Sequence, residues 1–216
     1  MTGAAVAAER VERVFRSRGR PDVAAVRGVD LVVPRGAFVV LTGASGCGKT
    51  TLLALLGGLD RPTAGRVVLD GVDLTGASDA ALSRARRRVG FVFQHAPVLR
   101  GLPLWENVTY PLVPLGATTA ERRRRAAELL ADVDLADRAD DRPEVLSGGE
   151  RQRRGVARAL LADQPTSQLD DASAERVADF LAAAHAAGRT VVAATHAAHL
   201  LRHATHTLAM RDGRLV

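Results

Sequence analysis

Residues 38–50 read FVVLTGASGCGKT: a short apolar run, Phe38 to Thr42, that ends in the glycine-rich stretch Gly43 to Thr50. Thr51 to Leu56, TLLALL, follows at once with helical character, so the local order is strand, tight loop, helix. Gly43, Gly46 and Gly48 let the backbone wrap closely and aim its N–H groups at one point, and the N-terminus of the next helix adds a dipole that favours an anion. The spacing is G-x-x-x-x-G-K-[ST], in which Lys49 reaches the β- and γ-phosphates of a nucleotide and the Thr50 hydroxyl reaches the Mg²⁺ that bridges them. An incidental Lys-Thr in a glycine turn would not need the flanking strand and helix. Cys47, inside the loop, reads as a small buried filler rather than a redox switch.

The remainder of the chain agrees with one α/β domain around this loop. Its 216 residues are 47% hydrophobic and 25% charged, with mean hydropathy +0.01, which is enough to bury one sizeable core and excludes disordered and collagen-like classes. Aromatics are only 3%, so small aliphatic side chains must fill the interior between close-lying elements. A single cysteine forms no internal disulfide and fits a reducing compartment. No apolar run approaches the roughly 18 residues of a membrane span, and the opening MTGAAVAAER lacks a basic n-region with a sustained apolar segment. The expectation is a cytoplasmic protein.

A net charge of +6 and a pI near 10.9 raise nucleic acid or an anionic membrane surface as partners. The arginine runs, Arg84 to Arg88 and Arg122 to Arg125, lie beside helix signals, the second flanked by Glu121 and Glu128. No aromatics interleave with them to stack bases, so they read as solvated helical faces, and nucleic acid is not expected. Among 30 basic residues Lys49 is the one lysine.

Further strands are expected at Val67 to Leu69, Val89 to Phe93, Thr190 to Ala194 and Thr207 to Met210. Between Gln94 and Arg158 the texture changes to loops and charged helices, so a helical insertion is expected at roughly Gln94 to Leu160. Thr118 with Glu121 forms a capping box, and Ala126, Leu129, Leu130 and Val133 make one apolar helix face. The expected organisation is a single domain with its core from 1–93 and 161–216 and a helical subdomain at about 94–160.

Leu146 to Gln152, LSGGERQ, is a second anion site in outline. Ser147 can cap a helix with Glu150 as reciprocal partner, while Gly148 and Gly149 leave backbone donors uncovered at that helix start. With this motif downstream of the phosphate loop and a helical stretch between them, the sequence resembles the ATP-binding cassette (ABC) family. The resemblance runs over nearly the whole chain. It implies a P-loop NTPase (RecA-like) core sheet with an inserted helical subdomain. It also implies ATP and Mg²⁺ as cofactors, and a head-to-tail dimer with a second ATP-binding subunit in which the LSGG motif faces the nucleotide held by the other protomer. Nucleotide contacts then fall on Gly43, Ala44, Ser45, Gly46, Cys47, Gly48, Lys49, Thr50 and Thr51, on Ser147, Gly148 and Gly149, and on Phe15 as the aromatic stacked on adenine. Gln94 matches the glutamine that touches Mg²⁺ and water, beside the groove for a transmembrane permease. Asp163 matches the Mg²⁺-side aspartate, and with Thr50 and Gln94 completes the metal set. His196 matches the switch histidine at the γ-phosphate, and Ser167 to Asp170, SQLD, the loop that crosses the dimer interface. Within the family, Gly57 to Gly65 (GGLDRPTAG), Arg86 to Gln94 (RRRVGFVFQ) and Glu106 to Leu112 (ENVTYPL) look like the lipoprotein-release, macrolide-export and cell-division branch, whose members sit on the inner face of the cell membrane through a permease.

Two features depart from the family pattern. From Arg154 to Asp170 the chain reads RGVARALLADQPTSQLD, several residues too short for both the end of the helix and an apolar strand ending in Asp-Glu. Ala159 to Asp163 can serve one or the other. If it is helix, the expected consequence is a sheet lacking the strand next to the phosphate loop, with neighbouring strands short of backbone partners. The second departure is Gln164, which stands where the family has the glutamate that polarises the attacking water. An amide can orient water but is a poor proton acceptor. Three readings follow: an ABC subunit that couples ATP binding and hydrolysis to a permease, a hydrolysis-deficient regulatory or degenerate subunit, and, with least support, a nucleic-acid-associated ABC ATPase, which would require salt-dependent DNA binding.

Overall fold

The computed structural model describes residues 4–16, 18–92, 98–159, 164–168, 174–195 and 198–216. Its elements in chain order are β1 (Ala4–Phe15), β2 (Val23–Pro34), β3 (Phe38–Thr42), α1 (Lys49–Leu56), β4 (Ala64–Leu69), β5 (Val72–Asp73), α2 (Asp79–Arg86), β6 (Val89–Val92) and α3 (Leu104–Thr109). Then come α4 (Thr119–Ala131), α5 (Gly148–Ala159), β7 (Gln164–Gln168), α6 (Ala174–Ala186), β8 (Val191–Ala194), α7 (Ala198–Leu201), β9 (His206–Arg211) and β10 (Arg214–Leu215). None of the described helices is long and apolar enough to cross a membrane.

Two sheets result. One is antiparallel with order β2-β1-β4-β5, and the other has order β10-β9-β3-β8-β7-β6, in which β3, β6, β7, β8 and β9 run parallel. The apolar run of β3 has a physical cause: its successive side chains enter two different cores. Val39 and Leu41 pack with the leucines of α1 and with the antiparallel sheet, whereas Phe38 and Val40 pack with α3, α4, α5 and α6. β8 repeats the division, with Val192 and Ala194 on the first side and Val191 and Ala193 on the second.

The helical stretch follows its sequence signals. The Thr118 hydroxyl accepts from the Glu121 amide at 3.3 Å while the Glu121 carboxylate accepts from the Thr118 amide at 2.8 Å, and Ala126, Leu129, Leu130 and Val133 are buried. The arginine runs are not wholly solvated. The Arg122 and Arg123 guanidinium groups lie 5.2 and 4.5 Å from the centre of the buried Trp105 ring, so this aromatic is already engaged by cations.

The compressed segment resolves in an unexpected way. α5 extends to Ala159, so helix takes the first part of it. The sheet nonetheless keeps a strand there: β7, QPTSQ, lies between β6 and β8, and the neighbours of β3 are β8 and β9. The expectation of a missing strand beside the phosphate loop is therefore corrected. β6 and β8 both carry backbone groups that require partners, and the next available chain is drawn between them despite its polar composition and Pro165, which brings no N–H. Of the loop Ser167 to Asp170 that the resemblance implies, Ser167 and Gln168 lie in this strand, and Leu169 and Asp170 lie outside the described residues.

Candidate nucleotide site

The loop leaves β3 at Thr42 and enters α1 at Lys49. Gly43 and Gly48 have φ of 139° and 107°, and neither could be anything but glycine: a Cβ would stand 2.0 Å from the Met210 carbonyl oxygen at Gly43 and 2.1 Å from the Ala25 carbonyl oxygen at Gly48. The loop is thus pressed between β9 and β2. Cys47 is buried in the core, in agreement with its reading as a filler, and its carbonyl accepts the Gly213 amide at 3.0 Å. α1 begins without a side-chain cap and without an acidic residue in its first turn, which leaves its dipole and first N–H groups for an anion. The Lys49 ammonium turns back over the loop, donating to the carbonyls of Gly43 and of Ala44, the latter at 2.9 Å, with the Cys47 sulfur 3.6 Å away. A phosphate offers it charged acceptors in place of these neutral ones. Ala44, Ser45, Gly46 and Thr50 are exposed around it, and Thr51 is half-buried.

Phe15 closes β1 opposite Val23, two residues before Ala25, so the strand pairing brings it to the loop's edge. Its ring is 41% exposed and carries the Arg13 guanidinium 4.5 Å from its centre.

At the start of α5 the reciprocal cap forms: the Glu150 amide donates to the Ser147 hydroxyl at 3.3 Å and the Ser147 amide to the Glu150 carboxylate at 2.7 Å. Arg138 pairs with the same carboxylate at 2.8 Å. The Ser147 backbone amide first, its hydroxyl next, and the nearby Arg138 and Arg153 more weakly hold the Glu150 carboxyl below its ordinary range. Ser147 and Gly148 are exposed and Gly149 is half-buried.

Gln94, Asp163 and His196 lie outside the described residues, so of the expected metal set Thr50 alone can be located. Gln164 opens β7 with its backbone opposite Val89. The residue of β7 level with the end of β3 is Gln168, through the register Gln168 to Ala194 and Ala194 to Leu41. Gln164 therefore stands at the sheet end remote from the phosphate loop, by four residues at roughly 3.3 Å each, about 13 Å. The register does not bring residue 164 to the glycine loop. Sequence reasoning also misses the loop's braces, Ala25 and the β9–β10 turn, although Asp212-Gly213 between short strands is a hairpin signal.

A glycine loop between a parallel strand and an uncapped helix, flanked by an antiparallel sheet and a helical insertion, defines a P-loop nucleotide-binding protein. The family model described as ABC transporter matches residues 26–174. The chain is 42% identical over 217 residues to the macrolide export ATP-binding/permease protein MacB of Brucella abortus, covering 96% of this chain and 34% of that protein. It is 41% identical over 217 residues to the methionine import ATP-binding protein MetN 2 of Rhodococcus jostii, covering 96% of this chain and 64% of that protein. Among solved structures, the dimeric post-hydrolysis state of the ATP-binding cassette MJ0796 bound to ADP and Pi superposes with a TM-score of 0.90 at 32% identity, over 97% of this chain and 96% of that one. The chain belongs to the ABC transporter family, as an ATP-binding cassette of the ATPase class. It spans about a third of MacB and less than two thirds of MetN 2.

Proposed function

We propose that the chain is the ATP-binding subunit of a membrane transporter, of export or extraction type, working on the cytoplasmic face of the membrane. Mg-ATP occupies the loop from Gly43 to Thr51 with adenine on Phe15, Thr50, Gln94 and Asp163 hold the Mg²⁺, and His196 stands at the γ-phosphate. Two subunits close head to tail, each nucleotide between one phosphate loop and the partner's LSGG motif, and closure drives a permease. The observation that carries this reading is Gly148. Glycine inside a helix is unfavourable by about 1 kcal/mol relative to alanine, and although Gly148 stands at the first position of α5, where that cost is smaller, among the described residues a Cβ here would meet nothing nearer than the Arg151 side chain at 4.0 Å. The described residues of its own subunit give no reason for a missing side chain; close approach by a ligand or partner does. The relatives' printed roles in macrolide export and methionine import support a transporter, and the dimeric cassette supports pairing. Light scattering with and without Mg-ATP tests it, with a doubling of mass expected. A nucleotide-saturated monomer would overturn the paired closure. The second reading, a hydrolysis-deficient subunit, is favoured by the register of Gln164.

A further inference from the structure

Two turns into α5, Arg154 is fully buried on a helix whose neighbouring residues Val156 and Ala157 belong to the second core. Desolvation, and then the cations Arg158 and Arg151, bring its pKa down to about 10, so it remains charged at neutral pH. A buried charge is unfavourable where an apolar chain of similar size would fill the space, which points to a use other than packing. Its Nη1 donates to the Asn107 side-chain oxygen at 3.5 Å. Asn107, itself fully buried on α3, gathers a whole turn. Its oxygen also accepts the Leu99 amide at 2.8 Å, and its amide nitrogen donates to the carbonyls of Leu99, Leu102 and Pro103 at 3.0, 2.9 and 3.2 Å. One oxygen thus joins α5 to the turn Leu99–Pro103.

We infer that Arg154 and Asn107 are positioning residues that lock the turn Leu99–Pro103 to α5, so that a shift of α5 on closure over ATP is delivered to that turn. This rests on the proposed closure of paired subunits. An asparagine that only capped the turn would need no buried cation, whereas a charged donor sharing the oxygen with the Leu99 amide makes that amide respond to α5. Helix and turn are then biased together, which is the physical content of coupling between distant groups.

The test is single-residue amide exchange on the full chain with and without Mg-ATP, reading Glu150, whose amide is held by the Ser147 hydroxyl, and Leu99, whose amide is held by Asn107. In the wild type both amides should change by on the order of fivefold or more. In Arg154→Met, Glu150 should still respond and Leu99 should not, and Arg154→Lys, which keeps a charged donor, should restore the Leu99 response. Arg154→Gln replaces the methionine variant if the latter fails to fold, with a partial response expected. An equal Leu99 response in Arg154→Met, or a full one in Arg154→Gln, overturns the inference, as does a silent Leu99 in the wild type while Glu150 responds. A silent Glu150 in the wild type overturns the paired closure itself, and the inference with it.

Discussion

The Gly213 backbone ties the glycine loop to β2: its amide donates to the Cys47 carbonyl at 3.0 Å, and its carbonyl accepts the Arg27 amide at 2.8 Å. The β9–β10 hairpin therefore fixes the glycine loop against β2, while the Met210 carbonyl, three residues earlier on β9, sets how closely Gly43 must pass. Loop shape depends on residues more than 160 positions away from it.

Gly213→Ala should weaken both folding and nucleotide binding. At φ of 80° an alanine is strained, and its Cβ would meet the Arg27 side chain at 3.0 Å and the Ala25 carbonyl oxygen at 3.1 Å. A loss of about 1–2 kcal/mol is expected in chemical denaturation, together with lower Mg-ATP affinity by calorimetry. Gly71→Ala is the control. It occupies the matching position of the Asp70-Gly71 hairpin at φ of 79° with nothing within 4 Å, and should lose stability while keeping ATP affinity.

Lys49→Ala should abolish Mg-ATP binding, because the loop loses its one mobile cation. Stability without nucleotide should move by no more than about 0.5 kcal/mol, since the deleted bonds go to carbonyls that solvent can reach. Calorimetry and a thermal melt separate the two effects. Unchanged affinity would remove Gly43 to Thr50 from the site.

Acidification should loosen the start of α5. The Glu150 carboxyl is held below its ordinary value by Ser147 and Arg138, so its contribution is fully present above the unfolded-state pKa and is lost as pH falls through the lower folded value. Amide exchange at Ser147 and Glu150, taken relative to the intrinsic rate at each pH, should rise below about pH 4. Ser147→Ala should shift that rise to higher pH and destabilise the helix by about 1 kcal/mol. A Ser147→Ala profile identical to wild type would show that the Ser147 hydroxyl does not hold Glu150, leaving the backbone amide to do so.

The loop from Gly43 to Thr50 is legible in sequence because its chemistry is local: glycines for closeness, a lysine for charge, a helix behind. The caps at Thr118 and Ser147 are legible for the same reason. β1 and β2 are not, since their pairing slips register several times between Ala4 and Val14 and the alternation of buried residues slips with it. Two hairpins do leave a local mark, Asp70-Gly71 and Asp212-Gly213, both with positive φ at each residue. β7 leaves none. QPTSQ has no apolar pattern, and its strand state is imposed by β6 and β8, a tertiary demand that overrides propensity.

That override sets the outcome of restoring the missing carboxylate. General-base assistance contributes typically about 10²- to 10⁴-fold, so Gln164→Glu should raise ATP turnover strongly if the amide is the whole defect. A small gain is expected instead. Residue 164 pairs with Val89, at the sheet end remote from the loop, and a base acts only within hydrogen-bond reach of its water. Inserting a short apolar segment with a turn between Ala162 and Asp163 gives the sheet a better strand than QPTSQ. It lets residues 164–168 move towards the loop end and removes Pro165 from the ladder. With Gln164→Glu this insertion should raise phosphate release well above either change alone. The insertion by itself should deepen the sheet's stability in denaturant without restoring turnover, because the amide remains a poor proton acceptor. Phosphate release from wild type, each single change and the combination decides it: full activity from Gln164→Glu alone would mean that residue 164 reaches the nucleotide in solution and that the β6–β7 register seen here is not the one that works.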